Sequence, residues 1–286
     1  MRRSSCPEYL FLAAAINSGL LAIAIFCFLL VFSLPMLVRG ELSDLLLSPW
    51  APANGMYGIA PMIRASLLLS GLALAIGLPV SLGVSSIIAV LAPVRLRHLL
   101  LNGVRLMASI PTVVYSFAAL FLLVPLMRRL LHGSGLSLLT AAPVLALLIA
   151  PTMIIFFVSS FTRIPRNMLL AADALGATGA QKLLYIILPG SLPGIINGLL
   201  LGFGRAMGDT LVSLMLAGNS TAPPSSLAEP ARTLTAHIAL VMAADFDSME
   251  FKSIFVCGLL LYSITAILMF CFRLVTRQGK NHAHSG

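Results

Sequence analysis

Charge is what this 286-residue chain has least of: 9% of it is Asp, Glu, Lys or Arg, against about a quarter in a soluble globular domain. Cysteine and tryptophan are scarce too, at four and one. Cys27, Cys257 and Cys271 lie in or beside apolar runs and Cys6 is near the amino terminus, with no metal-ligand spacing, so all four read as packing residues. A Gly-x-x-x-x-Gly-Lys-Ser/Thr loop is missing. The nearest approach, Gly176 to Lys182, fails at the second glycine, so nucleotide binding through that motif is excluded. Nor is there a Gly-x-Ser-x-Gly elbow, a His-Glu-x-x-His helix or a pair of intramembrane aspartates. Hydrolytic chemistry has no machinery here, no cofactor is expected, and any energy source must be a partner or an ion gradient.

What fills the chain is apolar: 59% of residues are hydrophobic and the mean hydropathy is +1.03, the signature of an integral membrane protein. The formal charge of +9 comes from basic residues scattered in ones and twos, without a basic stripe or interleaved aromatics, so no nucleic acid partner is expected. Six runs are long enough to span a bilayer, at about 12–38, 63–92, 104–127, 138–160, 193–217 and 252–273. The first is roughly twice the usual core of a signal peptide and lacks a cleavage site, which favours a retained helix. Arg2, Arg3, Arg95, Arg97, Arg105, Arg163, Arg166, Lys182, Arg273, Arg277 and Lys280 share one side. Arg39, Arg64, Arg128, Arg129, Arg232 and Lys252 share the other. That balance predicts both termini in the cytoplasm. The acids agree, since Glu41, Asp44, Glu229, Asp245, Asp247 and Glu250 all fall outside. The chain divides into an amino-terminal tip, span and outer loop (1–58), a core (59–275) with a long cytoplasmic connection (161–192), and a tail (276–286). A long outer connection, 218–251, opens on Pro223-Pro224 and is expected to hold a short helix from Arg232 to Met242. His282 and His284 read as a solvated tail rather than a metal site.

The fifth run carries a charge where charge is costly. Arg205 sits near its middle and Asp209 four residues on. A charge at bilayer mid-depth costs about 2.5–3.5 kcal/mol on insertion scales. On a continuous helix the two Cα atoms would lie about 6 Å apart along the axis, on one face. Two readings follow. The pair self-neutralises, although acid-first order is the better geometry and here the base comes first. Alternatively, Arg205 meets a permeating oxyanion, its planar fork of donors matching phosphate. Asp209 would then accept the proton that hydrogen phosphate carries and sulfate lacks. Thr210 adds a hydroxyll to that path, or bonds its own helix backbone. Ser109, Thr112, Tyr115 and Ser116 in the third run are a second polar wall or interhelical hydrogen bonds. Gly190, Gly194, Gly198 and Gly202 recur every fourth residue, with Gly204 and Gly208 as a second pair. Small residues at that spacing let another helix approach closely, either as static packing or as a face on which helices slide.

In the 161–192 connection, Ala171-Ala172-Asp173 precedes Gly176, and after nine intervening residues comes Ile186-Ile187-Leu188-Pro189. Spacing alone leaves this an amphipathic connector broken at glycine. The pattern also resembles the EAA loop of bacterial type I ABC importer permeases, with Leu170 standing where that family has glutamate. The resemblance extends to Tyr57-Gly58-Ile59-Ala60-Pro61, Ile110 to Tyr115, Gly204 to Thr210, Gly218-Asn219 and Arg232 to Ala239, which are similar to the phosphate-specific (Pst) permeases, PstC-type subunit. Asp209 replaces the glutamate usual there.

The resemblance implies an all-α transmembrane domain of six helices, without ATPase activity, in the bacterial inner membrane. It implies that Ala171, Ala172, Asp173, Gly176, Ile186, Leu188 and Pro189 dock a cytosolic ABC ATPase dimer. It further implies that Arg205, Asp209 and Thr210 line the substrate path and that Gly194, Gly198, Gly202 and Gly208 pack helices. The remaining partners would be membrane lipid, a second homologous permease subunit and a periplasmic or lipid-anchored phosphate-binding protein. A permease for sulfate, molybdate or phosphonate is the alternative within that class, and an ion-coupled secondary carrier the alternative outside it.

Overall fold

The computed structural model describes residues 6–39 and 48–282; Arg2, Arg3, Glu41, Asp44 and His284, which entered the reading above, lie outside them. The described residues form a helical assembly with one two-stranded antiparallel hairpin, β1 (Trp50–Ala51) and β2 (Met56–Tyr57). Helices α1 (Cys6–Arg39), α2 (Ala60–Leu91), α4 (Thr112–Leu131), α5 (Leu138–Phe161) and α11 (Met249–His282) each contain an apolar stretch long enough to cross a bilayer. A sixth crossing is a bent pair: α7 (Gly179–Gly190) and α8 (Leu192–Gly208) meet at 71°. Shorter helices are α3 (Val94–Ser109), α6 (Arg166–Ala174), α9 (Leu211–Leu216) and α10 (Leu234–Val241).

Helix α5 is the axis of the fold. Leu145, Ile149, Met153 and Phe157, spaced one turn apart, are all fully buried, and α2 and α8 pack along it. In lipid, apolar surface alone supplies little drive for helices to associate, so close packing and hydrogen bonds must hold them together. The α2–α5 seam is accordingly built from small residues: Ala65, Ser66, Ala73, Gly77, Ser81 and Ser85 are buried on α2. A Cβ added at Gly77 would come within 3.0 Å of the Met153 methyl. The outermost helix, α1, lies against α11 through Phe26–Tyr262 and Phe32–Phe255 ring contacts.

Two of the six expected spans differ from a single helix, each for a local reason. The third was read as 104–127, but the chain breaks at Ile110–Pro111, both extended, and the crossing is Thr112–Leu131. Proline disfavours helical backbone at the residue before it. Helix α3, with Arg95, Arg97, His98 and Arg105, is a separate amphipathic element. The fifth was read as one helix over 193–217. It stops at Gly208, passes through an extended Asp209 (ψ 122°), and restarts as α9. At the carboxyl end, helix continues to His282, nine residues past the expected limit of 273.

The 218–251 connection folds back into the assembly. Helix α10 starts on a Thr233 cap, whose hydroxyl accepts from the Ala236 N–H at 3.2 Å, and its Leu234 N–H donates to the Ser66 hydroxyl of α2 at 2.8 Å. Its centre is His237, fully buried, edge-on to Trp50 of the hairpin with centroids 4.4 Å apart, and 3.2 Å from the Ser253 hydroxyl of α11 through Nε2. Its Nδ1 is buried without a hydrogen-bond partner. Burial, reinforced by the nearby Arg232 guanidinium, lowers the His237 pKa from 6.5 to about 4. The neutral ring is therefore the folded form, and the unfolded chain binds the extra proton between those two values. Stability from this residue is complete above pH 6.5 and is lost as pH falls towards 4, by up to about 3 kcal/mol. Thermal unfolding of the detergent-solubilised protein is expected to show a lower midpoint at pH 5 than at pH 7. His237→Phe should flatten that difference, since Ser253 keeps its bond to the Glu250 carbonyl.

Candidate functional site

The break between α8 and α9 places the charged residues of the fifth span at the centre of the fold. Asp209 makes the break itself. Its Oδ2 accepts the Val212 N–H at 3.0 Å, capping α9 in the manner of an aspartate at a helix start. A side chain that offers a backbone N–H a local partner competes with continuous helix, which is why the chain turns out of helix at this residue. The Asp209 carbonyl, freed from the α-helical ladder, accepts two hydroxyls at 3.0 Å, from Ser213 of α9 and Thr235 of α10. Thr210 follows in helical conformation, and its carbonyl receives the Leu214 N–H at 2.8 Å and the Ser213 hydroxyl at 3.0 Å.

Arg205, half-buried on the last turn of α8, does not pair with Asp209. Its Nη1 donates to the hydroxyl of Thr152 on α5 at 2.8 Å. The ion pair among the described residues is elsewhere, between Lys182 and Asp173. The expectation of a one-turn pair on a single helix face therefore does not describe this structure, because the helix ends before Asp209 and the carboxylate turns to its own cap. The result is a guanidinium held by a neutral hydroxyl, with a half-buried carboxylate nearby whose Oδ1 is uncommitted.

Close approach of α8 to α5 makes that reach possible. A Cβ on Gly194 would collide with the Ser160 side chain; on Gly198 it would meet the Phe157 ring at 2.7 Å, and on Gly202 the Met153 sulfur at 2.9 Å. Gly208 and Gly204 stand off this contact, with no atom within 4 Å of an added Cβ. Gly208 ends α8 instead. The third-span hydroxyls are spent locally: Ser109 on the Arg105 carbonyl, Ser116 on Thr112 and Tyr115 on Met107. Tyr115 is nonetheless within electrostatic reach of Arg205.

The 161–192 residues form a separate surface at the other end of α8, roughly 20 Å along its axis from Arg205. Helix α6 carries Ala171, Ala172 and Asp173 and ends where Gly176 takes φ +75°, a left-handed conformation that glycine adopts without strain. Thr178 and Gln181 close a reciprocal capping box that starts α7. Asp173 is tied to Lys182 at 2.6 Å, which staples the two short helices. Leu175 and Tyr185 project into solvent, 88% and 77% exposed, beside a cavity of about 320 Å³ that Gly176 and Ile186 help line. Leu188 is half-buried and Pro189, inside α7, is exposed.

Thr152, Ser66 and Ser213 were not among the residues singled out from sequence, and Thr235 entered only within the Arg232 to Ala239 run; Ser213 and Thr235 take the carbonyl at the break and Ser66 anchors α10. Thr152 directly follows Pro151 and is the one polar residue between Thr140 and Ser159 of this helix, a signal that could have marked it. The structure yields a test of the cap. Asp209→Asn, which retains an acceptor, is expected to unfold within a few tenths of a kcal/mol of the parent, and Asp209→Ala about 1 kcal/mol below it. Equal stability of the parent and Asp209→Ala would remove the cap as the cause of the break.

Residues 77–278 match the model of a family described as the binding-protein-dependent transport system inner membrane component. The phosphate transport system permease protein PstC of Haemophilus influenzae is 29% identical over 279 residues, covering 90% of this chain and 87% of that one. A probable ABC transporter permease protein, YqgH of Bacillus subtilis, is 29% identical over 138 residues, covering 48% and 45%. PstC of Pasteurella multocida is 30% identical over 135 residues, covering 46% and 41%. Against these last two the match spans under half of the relative's length. Among solved structures, a bacterial alginate ABC transporter in complex with its pentasaccharide-bound periplasmic protein aligns over 94% of both chains, with TM-score 0.67 and 16% identity. The MetNI methionine ABC transporter aligns over 77% of this chain and 95% of that one, with TM-score 0.61 and 19% identity. The fold is thus the all-α, multi-span fold of type I ABC importer membrane domains.

Proposed function

We infer the following role for this chain, which belongs to the family of binding-protein-dependent transport system inner membrane components: it is the permease subunit of an ATP-driven importer for inorganic phosphate. It spans the bacterial inner membrane with both termini and the 161–192 connection in the cytoplasm. The carrying observation is Arg205, a guanidinium within a membrane span whose hydrogen bond goes to a neutral hydroxyl and not to a carboxylate. An anion can displace that hydroxyl and gain a charge-assisted bond in its place. Asp209 uses Oδ2 for its cap and keeps Oδ1 free for a proton-bearing ligand, which selects hydrogen phosphate over sulfate. Likeness to PstC supports the same substrate. The fold does not, since neighbours of this fold carry alginate and methionine.

Leu175, Tyr185 and the cavity between α6 and α7 receive a cytosolic ABC ATPase, one of a pair. A second homologous permease subunit completes the path, and a periplasmic or lipid-anchored binding protein delivers phosphate. ATP-driven closure pushes on α6 and α7 and, through the 71° bend, tilts α8 on its glycine face against α5. In the assembled transporter, Arg205→Ala is expected to lower phosphate uptake roughly 100-fold, the scale of removing one partner of a buried charged contact. Asp209→Asn should keep uptake while reducing the preference for phosphate over sulfate about 10-fold. Unchanged uptake with Arg205→Ala would refute the substrate path, and unchanged preference with Asp209→Asn would leave that aspartate only its capping role.

A further inference from the structure

A second cluster of uncommitted polar groups lies along the same seam, nearer the α6–α7 surface. Between α5 and α8 is a cavity of about 350 Å³ lined by Ser159, Ser160, Arg163 and Asn197, with Phe156 and Gly194 among its other walls. The Ser160 hydroxyl is spent on the Phe156 carbonyl at 2.9 Å. The side chains of Ser159, Arg163 and Asn197 are exposed and make no hydrogen bond or ion pair with the described residues. Asn197 is the unusual member. It stands inside α8, in a membrane span, offering a carboxamide that nothing in the fold satisfies, which is costly in hydrocarbon. A basic residue near a helix end needs no further explanation. An arginine, a hydroxyl and an unpaired amide converging on one cavity do.

Helical periodicity connects this cavity to Arg205. On α5, Thr152, Phe156 and Ser159 follow one another at steps of four and three, on one stripe, and Arg163 lies in the turn just past the end of that helix. On α8, Arg205, Leu201, Asn197 and Gly194 do the same. Arg205 and its partner Thr152 mark one end of the stripe, and Asn197 lies about 12 Å further along α8. All three free groups are donors, and Arg163 supplies a full positive charge.

We propose that Ser159, Arg163 and Asn197 form a second oxyanion station, which receives a phosphate-type anion after it leaves Arg205 on the way to the cytoplasm. The direction of travel rests on the role proposed above for Arg205. The station's ligand chemistry is shared by free phosphate and by a phospholipid headgroup, and lipid composition separates the two. The free anion is the assigned ligand.

The experiment measures equilibrium binding of radiolabelled inorganic phosphate to the nucleotide-free permease–ATPase complex, without the binding protein, in nanodiscs of phosphatidylcholine. With Arg205→Ala, one phosphate site is expected to remain. Adding Arg163→Gln should weaken that site roughly 10-fold, and Arg163→Lys by about 3-fold or less, because a cation is retained. Monodispersity and co-purification of the permease and ATPase subunits verify that each variant is assembled. Residual binding that Arg163→Gln leaves unchanged, or no residual binding at all, would overturn the station. So would displacement of phosphate by added phosphatidylglycerol, which would assign the groove to lipid. The two proposals fail separately: full transport by Arg205→Ala sinks the role of Arg205, while binding that depends on Arg163 still establishes this site.

Discussion

The Asp209 carbonyl is the point on which the arrangement depends. Helix α8 ends before it within a membrane span, between an exposed Gly208 and a half-buried Asp209, and leaves backbone groups without helical partners. Broken helix at membrane depth persists only where neighbouring protein or a water-filled cavity supplies the missing partners. Here Ser213 and Thr235 both donate to the Asp209 carbonyl, and the Asp209 carboxylate holds the Val212 N–H. Thr235 is available because α10 is anchored one residue earlier, through Leu234, to Ser66 on α2. His237, two residues on, fixes the same helix against Trp50 and Ser253. The connection 218–251 thus works as the support of the break, and α2, α5, α9, α10 and α11 are all tied to it.

Because the helix breaks where it does, Arg205 and Asp209 have different tasks. Had α8 continued, the two would share a face and neutralise one another. With the chain turned out of helix at Asp209, the carboxylate belongs to α9 and the guanidinium crosses to Thr152. The glycine face of α8 completes this arrangement. Contacts of Gly194, Gly198 and Gly202 against Ser160, Phe157 and Met153 bring the backbones close, so an arginine beside them reaches a hydroxyl on the facing helix.

The sequence discloses the class of fold through long apolar runs, which need no tertiary information, and the polar outlier Arg205 through its cost in lipid. The glycine spacing on α8 is likewise plain in the chain, although Gly208 shares the spacing and stands apart from the contact. Less legible were the breaks. Pro111 carried the information, because a proline constrains the residue before it. Asp209 looked like a helical neighbour of Arg205 because its capping competes with helix only once α9 can start and two hydroxyls from elsewhere take its carbonyl. Thr152 was hidden for a related reason: it acquires meaning only through a contact 53 residues distant in sequence.

The most direct test of the central claim is a structure of the assembled transporter, at a resolution that shows side chains, with phosphate trapped between its two access states. The guanidinium of Arg205 should have left Thr152 for a phosphate oxygen, with Asp209 Oδ1 facing another and the Asp209 cap on Val212 intact. A trapped phosphate lying elsewhere, with Arg205 still bonded to Thr152, would contradict it.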